Sequence, residues 1–174
     1  TVDIALLPVG DAAAASRGAG GKIVVADRAS GTISVISTRD QSVEAHALPM
    51  GDSTPEPMYV YYSPIHRRVF VGDRANDRVV AFDAKTFAVE GTVAAGAGVF
   101  HMWGSRATGQ LWVNNDIDNT MTVFDPRTLE VLATVPLPAD LVHDLGHGHG
   151  LAAGEGVLGV APHAADVAAR QPDQ

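Results

Sequence analysis

Aromatic and imidazole side chains are the residues of this chain whose types and spacing best suit ligand binding. Tyr59 and Tyr61 stand two residues apart in MYVYY, and His101 and Trp103 stand two residues apart in FHMWG. A spacing of two puts each pair on one face of an extended strand. Rings gathered in a concave site can bind a small molecule, but rings also fill the space between packed sheets. From the sequence, both roles stay open.

Histidines near the end of the chain suggest a second kind of chemistry. His143, His147 and His149 form the pattern H-x3-H-x-H. A neutral imidazole is the commonest metal ligand and suits Zn and Cu. The two spacings do not fit one regular element, and the glycines between the histidines favour a loop. A Zn or Cu site and a solvated segment are the two hypotheses, and no resident cofactor is predicted.

Motifs of known catalytic chemistry are absent from the sequence. There is no G-x-S-x-G, no H-E-x-x-H and no glycine-rich phosphate loop. The chain has no cysteine, which excludes disulfides, thiolate zinc sites and cysteine nucleophiles. The acidic turn NNDIDN lacks the glycine and the glutamate of a calcium-binding loop. We therefore expect a non-catalytic role, although the sequence leaves enzymatic activity undecided.

Composition excludes two classes of partner. The net charge is −8, and the 12 Lys and Arg residues form no basic run. Nucleic acids and anionic membrane surfaces both require clustered cations, so neither is an expected partner. No stretch reaches the roughly 18 apolar residues of a membrane span. No signal peptide is present, but the chain starts at Thr1 rather than Met. Removal of a leader would explain this start, and we expect a periplasmic or secreted protein.

An internal repeat organises the middle of the chain. Three segments align without gaps, at spacings of 46 and 42 residues: IVVADRASGTISVIS (23–37), VFVGDRANDRVVAFD (69–83) and LWVNNDIDNTMTVFD (111–125). Each contains an apolar strand, a polar turn and a second strand with period-2 alternation. Asp, Asn and Gly in the turns suit hairpin connections. A third strand follows in each copy.

A fourth, inner strand precedes two of the three copies. It is MYVYY before the second copy and FHMWG before the third, and the alignment pairs Tyr59 with His101 and Tyr61 with Trp103. The first copy lacks a recognisable inner strand, because AAAASRGAGG is poor in β-branched residues. Four antiparallel strands in about 40–45 residues is the period of a propeller blade. Inner strands line the central channel, which places the four aromatic and imidazole residues there.

The predicted fold class is all-β, with about three blades that are each a four-stranded antiparallel sheet. The predicted division is an irregular segment or partial strand over 1–21, blades over about 22–50, 57–96 and 99–138, and an Ala/Gly/His-rich tail over 139–174.

The repeats resemble the YVTN-type repeat of YncE-like β-propellers. LWVNND (111–116), DNTMTVFD (118–125) and PRTLEVLATVPLP (126–138) carry the resemblance, which covers about 115 of the 174 residues. The resemblance implies a seven-bladed propeller, of which this chain would be a fragment. It also implies a non-catalytic scaffold that binds an unknown small molecule or protein. A metal- or cofactor-dependent propeller enzyme, copper oxidoreductase-like or lactonase-like, is the alternative function.

The repeat pattern breaks after residue 138, where no fourth copy follows. Three blades cannot close a ring, and open sheet edges invite pairing with other chains. Three explanations compete: a truncated product without a function of its own, self-association that closes a ring, and a tail that caps the last blade.

Overall fold

Three four-stranded sheets make up the part of the protein that a computed structural model describes, residues 4–7 and 21–138. Blade A contains β1 (Ile4–Leu7), β2 (Lys22–Asp27), β3 (Thr32–Ser37) and β4 (Val43–Ala47). Blade B contains β5 (Pro57–Ser63), β6 (Arg68–Asp73), β7 (Arg78–Asp83) and β8 (Val89–Ala94). Blade C contains β9 (Val99–Gly104), β10 (Leu111–Asn115), β11 (Thr120–Phe124) and β12 (Val131–Pro136).

The strands of every blade follow one another in chain order, and each pairs antiparallel with its neighbour. This is the meander of a propeller blade, and the predicted fold class is confirmed. The only helical segment within residues 4–7 and 21–138 is a 3₁₀ turn at Arg74–Asn76. In those same ranges no helix is long and apolar enough to cross a membrane.

The inner strand of blade A lies further upstream than the repeat pattern indicates. β1 pairs with β2, and Leu6 stands opposite Ile23. The connection between the two strands, residues 8–21, has 14 residues, whereas residues 64–67 connect the equivalent strands of blade B. Pairing survives the longer loop because the entropy cost of closure grows slowly with loop length. β1 therefore supplies the strand that the segment immediately before β2 lacks.

Alternate residues of the two central strands form two faces on every blade. We call forward face the one turned toward the next blade in the chain, and rear face the opposite one. The forward faces are Val24, Ala26, Ile33 and Val35 in blade A, Phe70, Gly72, Val79 and Ala81 in blade B, and Trp112, Asn114, Met121 and Val123 in blade C. The rear faces are Ile23, Val25, Ser34 and Ile36, then Val69, Val71, Val80 and Phe82, then Leu111, Val113, Thr122 and Phe124.

Each junction packs a forward face on a rear face and forms a hydrophobic core. The first core joins the forward face of blade A to the rear face of blade B, and the second joins blade B to blade C in the same way. Phe82 in the first core and Phe70 and Phe124 in the second are fully buried. The rings of Phe70 and Phe124 meet edge to face, with centroids 5.7 Å apart. Burying a side chain of this size contributes about 1.5–3 kcal/mol.

The turn between the third and fourth strands has the same backbone in all three blades. Gln41, Phe87 and Leu129 occupy one repeat position, and their φ angles are 57°, 56° and 65°. A positive φ is unfavourable for a residue with a Cβ, so packing must offset it. Phe87 is buried in the first core, and Leu129 packs against the second. Two of the three turns are thus anchored to the preceding blade.

A polar contact is also repeated at both junctions. Lys22 Nζ of blade A donates to the carbonyl of Lys85 in blade B, at 3.3 Å. Arg68 of blade B, at the repeat position of Lys22, donates to the carbonyls of Pro126 and Arg127 in blade C, at 2.8 and 2.7 Å. A cation at the start of each second strand therefore holds a turn of the next blade.

Removal of the Phe82 ring will measure the contribution of the first core. We expect Phe82→Ala to lower the free energy of unfolding by about 3–5 kcal/mol, because the fully buried ring leaves a cavity between two sheets. Urea denaturation followed by circular dichroism measures the change. The control is Ile65→Ala on a side chain that is 80% exposed, where we expect a change within about 0.5 kcal/mol. Equal losses in the two variants would contradict the assignment of this core.

Candidate functional site

The inner strands of blades B and C carry a β-bulge at the same repeat position. In β5, Met58 and Tyr59 stand opposite a single residue of β6, Gly72. In β9, Phe100 and His101 stand opposite a single residue of β10, Asn114. A bulge of two residues against one bends the strand and re-aims a side chain, and such bulges are frequent next to functional sites.

The two bulges bring three rings together. The rings of Tyr59 and His101 meet edge to face, with centroids 5.0 Å apart and planes at 75°. Phe100 and His101 make a second such contact, with centroids 4.2 Å apart. His101 is exposed, whereas Tyr59 is half-buried against the second core. We call Tyr59, Phe100 and His101 the bulge site. It spans the junction between blades B and C and offers an exposed imidazole beside two aromatic rings.

The other two residues of the predicted site lie apart from the bulge site. Tyr61 stands opposite Phe70, on the forward side of blade B, and its hydroxyl lies over Gly104 of blade C. A Cβ added at Gly104 would be 2.0 Å from that oxygen, so the contact requires glycine there. Trp103 stands opposite Trp112, on the forward side of blade C, and is 71% exposed. The structure therefore places Tyr61 in a blade junction and Trp103 on an outer surface.

Sequence reasoning missed Phe100. Strict alternation along β9 would turn Phe100 away from His101, but the bulge places the two rings in contact. The available signal was the alignment itself, since Met58 and Tyr59 occupy the same two repeat positions. An apolar residue and a ring at one place in two copies is a weak signal of a bulge.

Burial perturbs the acidity of Tyr61. Desolvation in the junction raises the pKa of its hydroxyl above the ordinary value, because the charged form would lose water. The positive charge of Arg106 acts in the opposite direction and lowers the pKa. Tyr61 is therefore held neutral beside the second core.

Charged residues beside the bulge site are used to join the blades. Arg28 pairs with Glu56 at 2.6 Å across the first junction, and Arg74 pairs with Asp116 at 2.9 Å across the second. The carboxylate of Asp118 accepts a hydrogen bond from the backbone N–H of Ala97 at 2.7 Å. These acidic side chains thus stabilise turns and junctions, as expected for turn residues.

A buried carboxylate completes this end of blade B. Asp73 is fully buried and accepts hydrogen bonds from Arg78, Asn76 and the backbone N–H of Glu56, each at 2.9 Å. A buried charge of this kind is stable only when paired and fully hydrogen-bonded. The network fixes the chain that leads into β5 and, through it, the first bulge.

Metal ligands do not cluster in the described part of the chain. No group of three or more His, Cys, Asp or Glu side chains there is arranged to hold a metal ion. The predicted ligands His143, His147 and His149 lie outside the described residues, so a Zn or Cu site at those positions stays a prediction.

Comparison with known proteins supports the propeller fold. No family model matches the chain. It is 30% identical over 87 residues to the protein NirF of Pseudomonas aeruginosa, a match that covers 49% of this chain and 22% of NirF. The chain thus spans about a fifth of the length of that relative.

Solved structures resemble the fold at low sequence identity. A structure titled dihydro-heme d1 dehydrogenase NirN in complex with DHE superposes with a TM-score of 0.58 at 14% identity, over 69% of this chain and 26% of NirN. Hydrazine synthase of Kuenenia stuttgartiensis also gives 0.58 at 14% identity, over 68% of this chain and 34% of its own. Sqt1 of Saccharomyces cerevisiae gives 0.63 at 12% identity, over 79% and 36%. These likenesses establish the fold alone.

Alkaline pH will reveal the buried environment of Tyr61. Its pKa is higher in the folded protein, so the unfolded chain loses this proton first as the pH rises. The stabilisation is complete below a pH of about 10 and is lost as the pH rises through the folded-state pKa. We expect Tyr61→Phe to flatten this alkaline decline in the urea midpoint, and Arg106→Gln to steepen it. Identical pH profiles for both variants and the parent protein would refute this account.

Proposed function

We propose that this chain is a non-catalytic binding module of the YncE-like propeller type, located in the periplasm or secreted, and that its ligand is a planar conjugated small molecule held at the bulge site. The pair of aligned bulges carries the proposal. Two neighbouring blades depart from regular pairing at one position, and the departures bring Tyr59 and His101 into contact. Regular packing alone requires neither bulge.

The chemistry of the bulge site suits a flat ligand. Aromatic rings bury a large area and prefer offset or edge-to-face contact with another π-system. Phe100 and Tyr59 flank the exposed imidazole of His101, so a flat molecule beside it would contact rings from both blades. The imidazole adds a nitrogen that can donate or accept a hydrogen bond, or bind a metal centre.

A haem-type tetrapyrrole is the ligand class that we propose. The partial similarity to NirF and the structural likeness to NirN, whose title names a dihydro-heme d1 dehydrogenase in complex with DHE, support this choice. The residues present fit such a group, since His101 offers an axial nitrogen and Tyr59 and Phe100 offer apolar ring contacts. When bound, the macrocycle would supply a conjugated plane with a central metal. The chain's own residues would orient it.

A haemin titration tests this function. Haemin added to the purified full chain should produce a shifted Soret band that saturates at one equivalent per chain. We expect His101→Ala and Tyr59→Ala each to weaken binding about tenfold or more, a loss of about 1.4 kcal/mol. The matched control is His66→Ala, which removes an imidazole from the β5–β6 turn, where His66 contacts Ser63. We expect the affinity of this control to be unchanged.

The outcome that rejects the ligand site is also defined. Equal affinity in the parent protein, His101→Ala and Tyr59→Ala would mean that haemin binds elsewhere or nonspecifically. Circular dichroism spectra of all variants should coincide, so that a change in affinity is not a change in folding.

A metal-dependent propeller enzyme, copper oxidoreductase-like or lactonase-like, is the second candidate function. The spacing of His143, His147 and His149 is the observation that favours it. If these residues bind Zn or Cu, the purified chain should hold the metal stoichiometrically in elemental analysis after dialysis. A double variant, His147→Ala with His149→Ala, should lose that metal, whereas His101→Ala should retain it. A parent protein without bound metal would leave the binding module as the sole candidate.

A further inference from the structure

The rear face of blade A repeats a surface that is buried elsewhere in the molecule. Ile36 occupies the repeat position of Phe82 and Phe124, which are both 0% exposed at the two internal junctions. Ile36 itself is half-buried, and so is Ile23, whose two equivalents are at most 1% exposed. The residues at these positions are apolar in all three blades. Blade A thus presents a junction surface on which no described blade packs.

The forward face of blade C presents the complementary half of a junction. Trp103 lies where Tyr61 of blade B packs over the next blade, and Trp103 is 71% exposed. Trp112 and Met121 are partly exposed, whereas the equivalent residues of blades A and B are fully buried. Among the residues that the structure describes, Trp112 Nε1 and the buried Asn114 Oδ1 have no hydrogen-bond partner. Buried polar atoms without partners are costly, which favours a further contact at this face.

We propose that the forward face of blade C binds the rear face of blade A of a second copy of this chain. Two such junctions, related by a two-fold axis, would close a ring of six blades. Propellers typically contain about four to eight blades, so six is an ordinary number. Each new junction would repeat the forward-on-rear packing that already joins blade A to B and blade B to C. Because the two faces differ, each contact is heterologous, and closure limits the assembly to two chains.

The chemistry of both faces permits this contact. Their eight central positions carry no ionisable side chain: Ile23, Val25, Ser34 and Ile36 on one face, and Trp112, Asn114, Met121 and Val123 on the other. Burial therefore costs no charge desolvation. The repeated polar contact also has its parts. Gln110 occupies the position of Arg68 and keeps an N–H donor, and Thr38 and Arg39 occupy the positions of the accepting turn.

Two departures from the internal junctions set the strength of the new one. Asn114 stands where blade B has Gly72, whose missing Cβ leaves room for Val99 of the next blade. Gln41 stands where Phe87 and Leu129 anchor their turns to the preceding blade. Both changes weaken close apolar packing. We therefore expect an association that depends on protein concentration.

The two tryptophans of the chain report on this contact. Trp103 and Trp112 are the only tryptophans, and they stand opposite each other on β9 and β10. Sedimentation velocity of the full chain over a hundredfold range of concentration should show conversion to twice the monomer mass. Tryptophan emission should shift to shorter wavelength, and acrylamide quenching should fall, over the same range.

Variants identify the faces. We expect Ile36→Glu on blade A and Trp103→Glu on blade C each to abolish the dimer, and an equimolar mixture of the two to restore association. The mixed dimer has one junction without substitutions, which neither variant alone can form. The control Ile65→Glu, on a residue that is 80% exposed in a turn, should dimerise normally. Gln41→Leu should tighten the dimer about tenfold, by restoring the apolar turn anchor.

Several results would overturn the proposal. These are a monomer at all concentrations, open polymers in place of a dimer, a dimer that survives both glutamate variants, and a mixture that fails to restore association. A monomer whose tryptophans are already protected from acrylamide would mean that another segment of the same chain covers the blade C face, and it would overturn the proposal too. Circular dichroism melting of each variant should stay cooperative, so that loss of the dimer is not loss of the fold.

Discussion

The packing of one sheet face on the next is the constraint on which this structure depends. A four-stranded sheet has two faces, and its second and third strands place apolar side chains on both. Blade B has both faces covered, with Val80 and Phe82 in one core and Phe70 and Val79 in the other. Since apolar burial is the main driving force of folding, a single blade cannot be stable alone. The repeat is stable because each copy completes its neighbour.

The bulge site inherits its geometry from this packing. Tyr59 belongs to blade B and His101 to blade C, so only the junction brings their rings together. Gly72, which stands opposite the first bulge, lacks the Cβ that would lie 2.8 Å from Val99 Cγ1. The missing side chain lets β9 approach β6 closely, immediately before the second bulge. A glycine chosen for packing between blades therefore also sets the position of His101.

The sequence predicted regular features well and irregular ones poorly. Repeat alignment located the central strands because turn residues and period-2 alternation recur in all copies. The same periodicity could not locate the inner strand of blade A, since a 14-residue connection separates it from its partner strand. Alternation also assigned Tyr59 and Tyr61 to one shared site, whereas the structure places them in different contacts. No local pattern encodes a bulge, because its cost and benefit depend on the neighbouring blade.

The inner strand thus serves two purposes that the bulge keeps separate. Within the bulge, Tyr59 and His101 make a contact between blades that leaves the imidazole exposed. Two residues later, where pairing is regular again, Tyr61 packs over Gly104 of the next blade and Trp103 takes the equivalent place on blade C. Adjacent aromatic positions on one strand therefore carry different functions. A change at His101 can alter ligand binding without touching the face of blade C, and a change at Trp103 can alter assembly without removing a ring from the bulge site. The two proposals can accordingly fail independently.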